Sequence, residues 1–361
     1  MPDSNSEVLK RALGMLQRRP RQPKRINLAL QGGGAHGAFT WGVLDRLLDR
    51  QEFDIDGVSG TSAGAVNAVA LAAGYLEGGA EGARAKLETV WRAVSESGCM
   101  LPVKRNAEAA GAPAAGSDDS PYYLFLQMLT GIFSPYEFNP LEIDPLRRIL
   151  EQHIDFKALR RSPPMTLFIN ATEVSTGRGR VFSGKEITLE AVLASACLPA
   201  LRHAVKIGRR HYWDGAFSAN PALLPLIEGC ATIDTLIVRL APTRLPAVPK
   251  KAREIHGHVN RIMFSQPLRR EIELIETGRR TARRGIGLSD GLGRRLKRHR
   301  FHMVDAARYT KKLGHASTMT PDWELLVYLR ESGRKAMANW LGRNKDAVGR
   351  RSTVDLAAKF L

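Results

Sequence analysis

Short apolar runs and helical patterns alternate along most of the chain. Residues 26–30 (Ile-Asn-Leu-Ala-Leu) carry no charge, end at the glycines Gly32, Gly33 and Gly34, and lead into 39–48, where apolar residues recur at helical spacing. A second unit repeats the order: 53–58 predicts a strand, 59–64 a tight turn and 65–76 an alanine-rich helix. Strand, loop and helix in alternation are what a parallel sheet with covering helices requires, so the expected fold class is α/β with a central, mostly parallel sheet. The runs 165–172 and 236–240 predict further buried strands, and 187–193 predicts a helix leading into 195–199.

The flanks differ from this body. Residues 1–25 hold seven basic and two acidic side chains, with Val8, Leu9, Ala12, Leu13 and Leu16 at helical spacing, which predicts a short basic amphipathic segment outside the core. Residues 104–121, rich in Ala, Gly, Ser and Pro, predict a loop ahead of the apolar stretch 122–133. After 249 the chain turns helical and basic; 279–300 carries nine Arg or Lys against Asp290. Thr320 as N-cap before Pro321 predicts a helix running to about 341. The expected organisation is therefore an N-terminal segment 1–25, a catalytic α/β domain 26–250, and a helical basic region 251–361. No fixed-period repeat is present.

Composition narrows the class. With 361 residues, 43% hydrophobic and 25% charged, the chain has ample core material and lies in the ordinary globular range. The formal net charge of +18 favours anionic partners, lipid headgroups or nucleic acid, without choosing between them. Cys99, Cys197 and Cys230 are an odd, widely spaced set, which argues against a disulfide framework and for a reducing compartment. The N-terminus lacks the apolar core of a signal peptide. The uncharged run 57–76 reads as a buried turn and helix, and 122–133, at ~12 residues, falls short of the ~20 that span a bilayer. A cytoplasmic protein, with peripheral contact at the membrane, is the expectation.

Three motifs bear chemistry. Gly60-Thr61-Ser62-Ala63-Gly64 fits G-x-S-x-G, the nucleophile elbow, and it sits where that motif must sit, between a strand and a helix. Gly32-Gly33-Gly34-Ala35-His36-Gly37 follows a strand and opens a helix, so several backbone N–H groups are available to an oxyanion. Tyr212-Trp213-Asp214-Gly215-Ala216-Phe217 sets an acid beside a glycine, followed by Asn220-Pro221, a turn that could fix the loop.

Together these elements resemble the patatin-like phospholipase family over roughly 26–240. Four family motifs recur in order: the glycine loop, the elbow, A-S-x-x-x-P at Ala194, Ser195 and Pro199, and D-G-[GA] at Asp214, Gly215 and Ala216. The resemblance implies a three-layer α/β fold and a lipid acyl hydrolase with a Ser-Asp dyad and no catalytic histidine. It implies Ser62 as nucleophile, Asp214 as its base, N–H groups around Gly32, Gly33 and Gly34 as oxyanion hole, and Gly60, Gly64, Gly215, Ser195 and Pro199 in support. It also implies lipid or phospholipid as substrate and no cofactor or metal. His36 departs from the family, where Lys or Arg commonly follows the glycines. At this helix start, an imidazole is expected to brace backbone or meet solvent.

Rival readings remain open at this stage. The glycine loop also matches G-x-G-x-x-G, with Asp54 or Asp56 at the distance of a ribose-binding acid, which would make the protein a nucleotide-dependent oxidoreductase. His256, His302 or His315 could complete an ordinary Ser, Asp, His order. The 279–300 stretch could grip nucleic acid, but it lacks aromatic interleaving and any zinc-finger or RRM signature, so that partner is disfavoured.

Overall fold

The computed structural model describes residues 23–97, 128, 130–241, 248–283, 291–311 and 313–361. The N-terminal segment before 23, Cys99, the loop expected at 104–121, most of the apolar stretch 122–133 and part of the basic stretch 279–300 lie outside the described residues. In chain order the strands are β1 (Lys24–Leu30), β2 (Phe53–Gly60), β3 (Thr166–Glu173), β4 (Gly179–Ser183), β5 (Val205–Ile207), β6 (Arg210–Asp214), β7 (Asp234–Arg239) and β8 (Arg300–Asp305). The main helices are α1 (Gly37–Arg50), α2 (Ala63–Glu96), α3 (Pro145–His153), α4 (Phe156–Arg161), α5 (Leu189–Ser195), α6 (Leu224–Gly229), α7 (Ala252–Arg283), α8 (Gly291–Arg298), α9 (Trp323–Asn344) and α10 (Leu356–Phe360).

All eight strands join one sheet in the order β5-β6-β3-β2-β1-β7-β8, with β4 also on β3. The five central and right-hand strands, β3, β2, β1, β7 and β8, are parallel, while β4, β5 and β6 make antiparallel pairs. Period-two alternation sorts the strand residues onto two faces. Ile26, Leu28, Leu30, Leu167, Ile169, Leu236 and Val238 pack with α1, α2 and α9 on one side. Ala29, Phe168, Ile237 and Phe301 pack with α6, α7, α8 and α10 on the other. Both faces are covered, which is why these strands read as nearly continuous apolar runs.

The composition change near 250 does not coincide with an edge of this core. Strand β8 extends the sheet beside β7, from Asp234↔Arg300 to Arg239↔Asp305. Helices from beyond 250 supply most of the second face; among the described residues before that point, α6 with its flanking Leu223 and Cys230 covers Ala29, Phe168 and Ile237. The region after 250 is thus helical and basic, as expected, and also contributes a strand. Helix α9 lies on α1 at a close crossing: a Cβ at Gly42 would stand 1.9 Å from the Arg330 carbonyl oxygen, and one at Gly333 2.1 Å from that of Phe39. Beside this crossing, buried Asp45 pairs with Arg84 at 2.6 Å and with Arg334.

Other differences are local. The helix expected at 65–76 runs on to Glu96, bent at Gly78 and at Gly79, whose φ is 60°. The cap of α9 is Asp322 rather than Thr320; its carboxylate accepts from the Glu324 and Leu325 N–H groups, while Thr320 donates to the Ala316 carbonyl. Within the basic stretch, Arg279 donates to the carbonyls of Leu296 and His299, Arg295 to that of Cys230, and Arg300 grips Asp234 at 2.6 Å. These cations are spent on helix ends and an internal acid rather than offered to solvent. No helix among the described residues is long and apolar enough to cross a membrane.

Candidate active site

Parallel strands bring their carboxyl ends, and the loops that follow, to one end of the sheet. Ser62 sits there, between β2 and α2, with φ 54° and ψ −123°, a left-handed backbone for a non-glycine residue that costs of order 1–3 kcal/mol. The flanking glycines permit it by close approach: a Cβ at Gly60 would lie 2.4 Å from the Gly64 carbonyl oxygen, and one at Gly64 2.1 Å from that of Leu30. Both distances are impossible for a side chain, so the elbow needs glycine at each place. The Ser62 N–H donates to Ser195 Oγ at 3.0 Å, and the Thr61 hydroxyl donates to the Ala219 carbonyl at 3.0 Å.

Asp214 ends β6 and is 1% exposed. Its N–H donates to the Cys197 carbonyl at 2.7 Å, and its carbonyl accepts from the Thr172 hydroxyl at 2.8 Å. The segment 195–197 therefore holds both motif residues, Ser62 through the Ser195 side chain and Asp214 through backbone. Pro199 lies half-buried in the turn after it. Gly215 admits the Asn170 carbonyl, which would stand 2.0 Å from a Cβ, and Asn170 Nδ2 in turn donates to the Gly215 carbonyl at 2.7 Å.

Carboxylate Oδ1 of Asp214 accepts from the Ala216 N–H at 2.8 Å, whereas Oδ2 is buried without a hydrogen-bond partner. Burial pushes the carboxyl up from 3.8 to about 7; the Ala216 N–H, the Ser62 hydroxyl and the charge of Arg202 oppose that rise. The Ser62 hydroxyl is close enough to favour the anion yet does not complete a hydrogen bond of ordinary geometry, a looseness common before substrate binds.

The glycine loop lies against the elbow, since a Cβ at Gly32 would meet Ser62 Cβ at 2.8 Å and the Thr61 carbonyl oxygen at 2.7 Å. The Gly32 N–H donates to Asn220 Oδ1 at 2.7 Å. That donor is occupied, which removes Gly32 from the expected oxyanion set and makes it an anchor. The N–H groups of Gly33, Gly34 and Ala63 make no hydrogen bond among the described residues. Gly34 has φ 56°. His36 does not meet solvent: it is 8% exposed, and its Nε2 lies 2.7 Å from Ser317 Oγ. Because the Ser317 hydroxyl donates to the Gly314 carbonyl at 2.6 Å, the imidazole is the donor in that pair.

Three further polar side chains tie this site together, of which the motifs mark only Asn220, as a turn residue. Asn220, which belongs to the expected Asn220-Pro221 turn and is joined to Pro221 by a cis peptide, bridges to the glycine loop. Gln31 accepts from the Leu240 and Ala241 N–H groups at 2.7 and 3.0 Å. Asn170 ends the apolar run Leu167-Phe168-Ile169 of β3, and a buried amide after such a run is the signal that could have found it.

The rival arrangements separate spatially. Asp54 pairs with Arg25 at the amino ends of β2 and β1, and Asp56 accepts from the Thr232 N–H, so neither acid reaches the glycine loop at the other end of the sheet. His302 is buried against Asp234 and Thr353 near the amino end of β8, and His256 is exposed on α7. The side chain of His315 lies outside the described residues. A cleft lined in part by Lys86, His153, Lys157 and Arg160 contains none of the motif residues.

Residues 28–227 match the sequence profile of the patatin-like phospholipase family. A stretch of 52 residues is 52% identical to the uncharacterized protein YjjU of Escherichia coli, covering 14% of this chain and 15% of that relative. Among solved structures, VipD from Legionella pneumophila aligns with TM-score 0.44 and 14% identity over 89% of this chain and 67% of its own. ExoU, in its heterodimeric complex with SpcU from the type III secretion system of Pseudomonas aeruginosa, aligns with TM-score 0.39 and 16% identity over 90% of this chain and 52% of its own. With the profile spanning more than half its length, the chain belongs to the patatin-like phospholipase family.

Proposed function

We propose that the protein hydrolyses acyl esters of lipids through an acyl-Ser62 intermediate, with Asp214 as the base. The observation that carries this is a strained, half-buried serine beside a desolvated carboxylate whose Oδ2 has no other partner. Serine is a poor nucleophile unless a base takes its proton, and a carboxyl near 7 is a far better base than one near 3.8. As Oγ attacks the ester carbonyl, its proton passes to Asp214. The oxyanion meets the N–H groups of Gly33 and Gly34, with Ala63 as a third donor at the head of α2. Asp214 then returns the proton to the leaving alcohol. Water enters, gives its proton to Asp214 and attacks the acyl carbonyl, and the fatty acid leaves as Ser62 recovers its hydrogen. The scheme calls for no cofactor or metal.

Phospholipids in an anionic membrane are the substrate class that suits the family and a net charge of +18. The test is incubation with a mixed lipid extract and mass spectrometry of the products. Loss of diacyl lipids with a matching gain of free fatty acid, absent with Ser62→Ala, is expected. Identical lipid profiles for the two proteins would overturn the reading.

A further inference from the structure

The first half of α7 is apolar on the side that faces solvent. Ile255, Val259, Ile262 and Met263 are 42%, 47%, 44% and 42% exposed, and their i, i+4, i+7, i+8 spacing puts them on one stripe. Further along the helix, Leu268, Ile272 and Ile275 are buried in the core. At ~100° per residue the two sets lie about half a turn apart, so packing among the described residues does not explain the outer one. Exposed Lys250, Lys251, Arg269 and Arg270 border the stripe, and the nearby acid Glu254 accepts from the Lys250 N–H.

The stripe is connected to the chemistry. Helix α7 starts beyond the carboxyl end of β7, and its Phe264 lies on Phe217 at a ring distance of 5.2 Å. The Phe264 carbonyl accepts from Asn220 Nδ2 at 3.2 Å, and the same Asn220 holds Gly32. A second apolar outcrop stands at this end of the sheet: Ile132, Phe133, Leu141 and Ile143 are 66%, 46%, 81% and 54% exposed. Between them in sequence, Tyr136 stacks on His203 at 4.1 Å, a few residues after the Cys197 carbonyl that holds Asp214.

We propose that this end of the molecule docks on a lipid bilayer containing anionic lipids, with the α7 stripe entering the boundary between headgroups and acyl chains. The inference rests on the lipid-hydrolase reading and names the face through which substrate is reached. An aliphatic stripe bordered by cations is the composition of a helix that lies in a membrane interface. Nucleic acid gains nothing from Ile, Val and Met, while the cations match anionic headgroups, each engaged one strengthening binding about fivefold. Of the basic stretch 279–300, Arg279, Arg295 and Arg300 are turned inward.

Flotation of the full chain with vesicles of phosphatidylcholine, alone or mixed with phosphatidylserine, tests this. The wild type is expected to float with the mixed vesicles. Ile255→Asp/Val259→Asp is expected to lower the bound fraction about tenfold or more, and Lys250→Glu/Lys251→Glu to lower it on mixed vesicles only. Both variants should hydrolyse a monomeric short-chain p-nitrophenyl ester like the wild type, since none of the four residues touches Ser62 or Asp214. Vesicle binding unaltered by the stripe variant would overturn the proposal. So would self-association of the wild type that the stripe variant abolishes while vesicle binding persists, which would assign the stripe to a second copy of the chain. Stripe-dependent flotation by a wild type that cleaves no ester would uphold the docking face and reject the hydrolase reading.

Discussion

Replacing Asp214 by Asn separates the chemical role of this carboxyl from its effect on stability, and the two must move in opposite directions. Burial raises the group from 3.8 to about 7, so at neutral and alkaline pH the native protein confines a charge that the unfolded chain would hydrate freely. Between about pH 4 and pH 7 the native state retains a proton that the unfolded state releases, so stability contributed by this group falls as pH rises through that window. At ~1.36 kcal/mol per pH unit the full loss is at most ~4 kcal/mol. Asparagine carries no charge and keeps an oxygen for the Ala216 N–H; its amide must find an acceptor where Oδ2 has no partner, which cuts the net gain to ~1–2 kcal/mol. Thermal melts of wild type and Asp214→Asn at pH 5 and pH 8 should therefore show the variant more stable at pH 8, with the difference shrinking at pH 5. The variant should have lost ester hydrolysis throughout. In the wild type, kcat/KM on a soluble ester should fall about tenfold per unit below pH 7. A wild-type rate that is flat from pH 5 to pH 8, or a variant less stable than wild type only at pH 8, would refute the reasoning.

Three further outcomes follow from neighbouring contacts. Ser195→Ala removes the acceptor of the Ser62 N–H and should lower kcat by about tenfold with KM little changed, measured by steady-state kinetics, because it loosens the nucleophile and not a substrate contact. Gly33→Val should cost ~10² to 10³ in kcat through a displaced N–H donor, whereas Gly32→Ala, with its Cβ 2.8 Å from Ser62 Cβ, should destabilise the fold as well, which chemical denaturation resolves. His36→Arg, tolerable if the site met solvent, should lower the melting temperature and activity together, because the imidazole is buried against Ser317; Ser317→Ala should be milder, at ~1–3 kcal/mol, for the loss of two hydrogen bonds, to His36 and to the Gly314 carbonyl.

The sheet and the loops at its carboxyl end were legible because they obey local rules: continuous apolar strands, glycines at turns, and helices that open immediately after them. Gly60 and Gly64 could be read as a pair because both answer one steric demand at Ser62. Ser195 and the Asn220 turn could be singled out, but not what they hold, since the links from Ser195, Cys197, Thr172 and Asn220 span long sequence separations and leave no periodic trace. The place of the chain beyond 250 was hidden for a similar reason. Its basic helices read as a separate region, yet Leu268, Ile272 and Ile275 complete the second face of the sheet. The opposite stripe of α7 shares that helix, and only the packing tells which apolar side is buried. Gly32 shows the limit of motif reading: its glycine is required, but its N–H is already spent on Asn220.

The central claim is that Ser62 carries the acyl group while Asp214 takes its proton. Reaction with a fluorophosphonate that mimics the tetrahedral intermediate, followed by peptide mass mapping, tests it most directly. One adduct per chain on Ser62 is expected, absent in Ser62→Ala and formed at least about 10²-fold more slowly in Asp214→Asn, with rates in the wild type rising toward pH 7. Labelling of another residue, or of Ser62 at an equal rate in Asp214→Asn, would contradict the account.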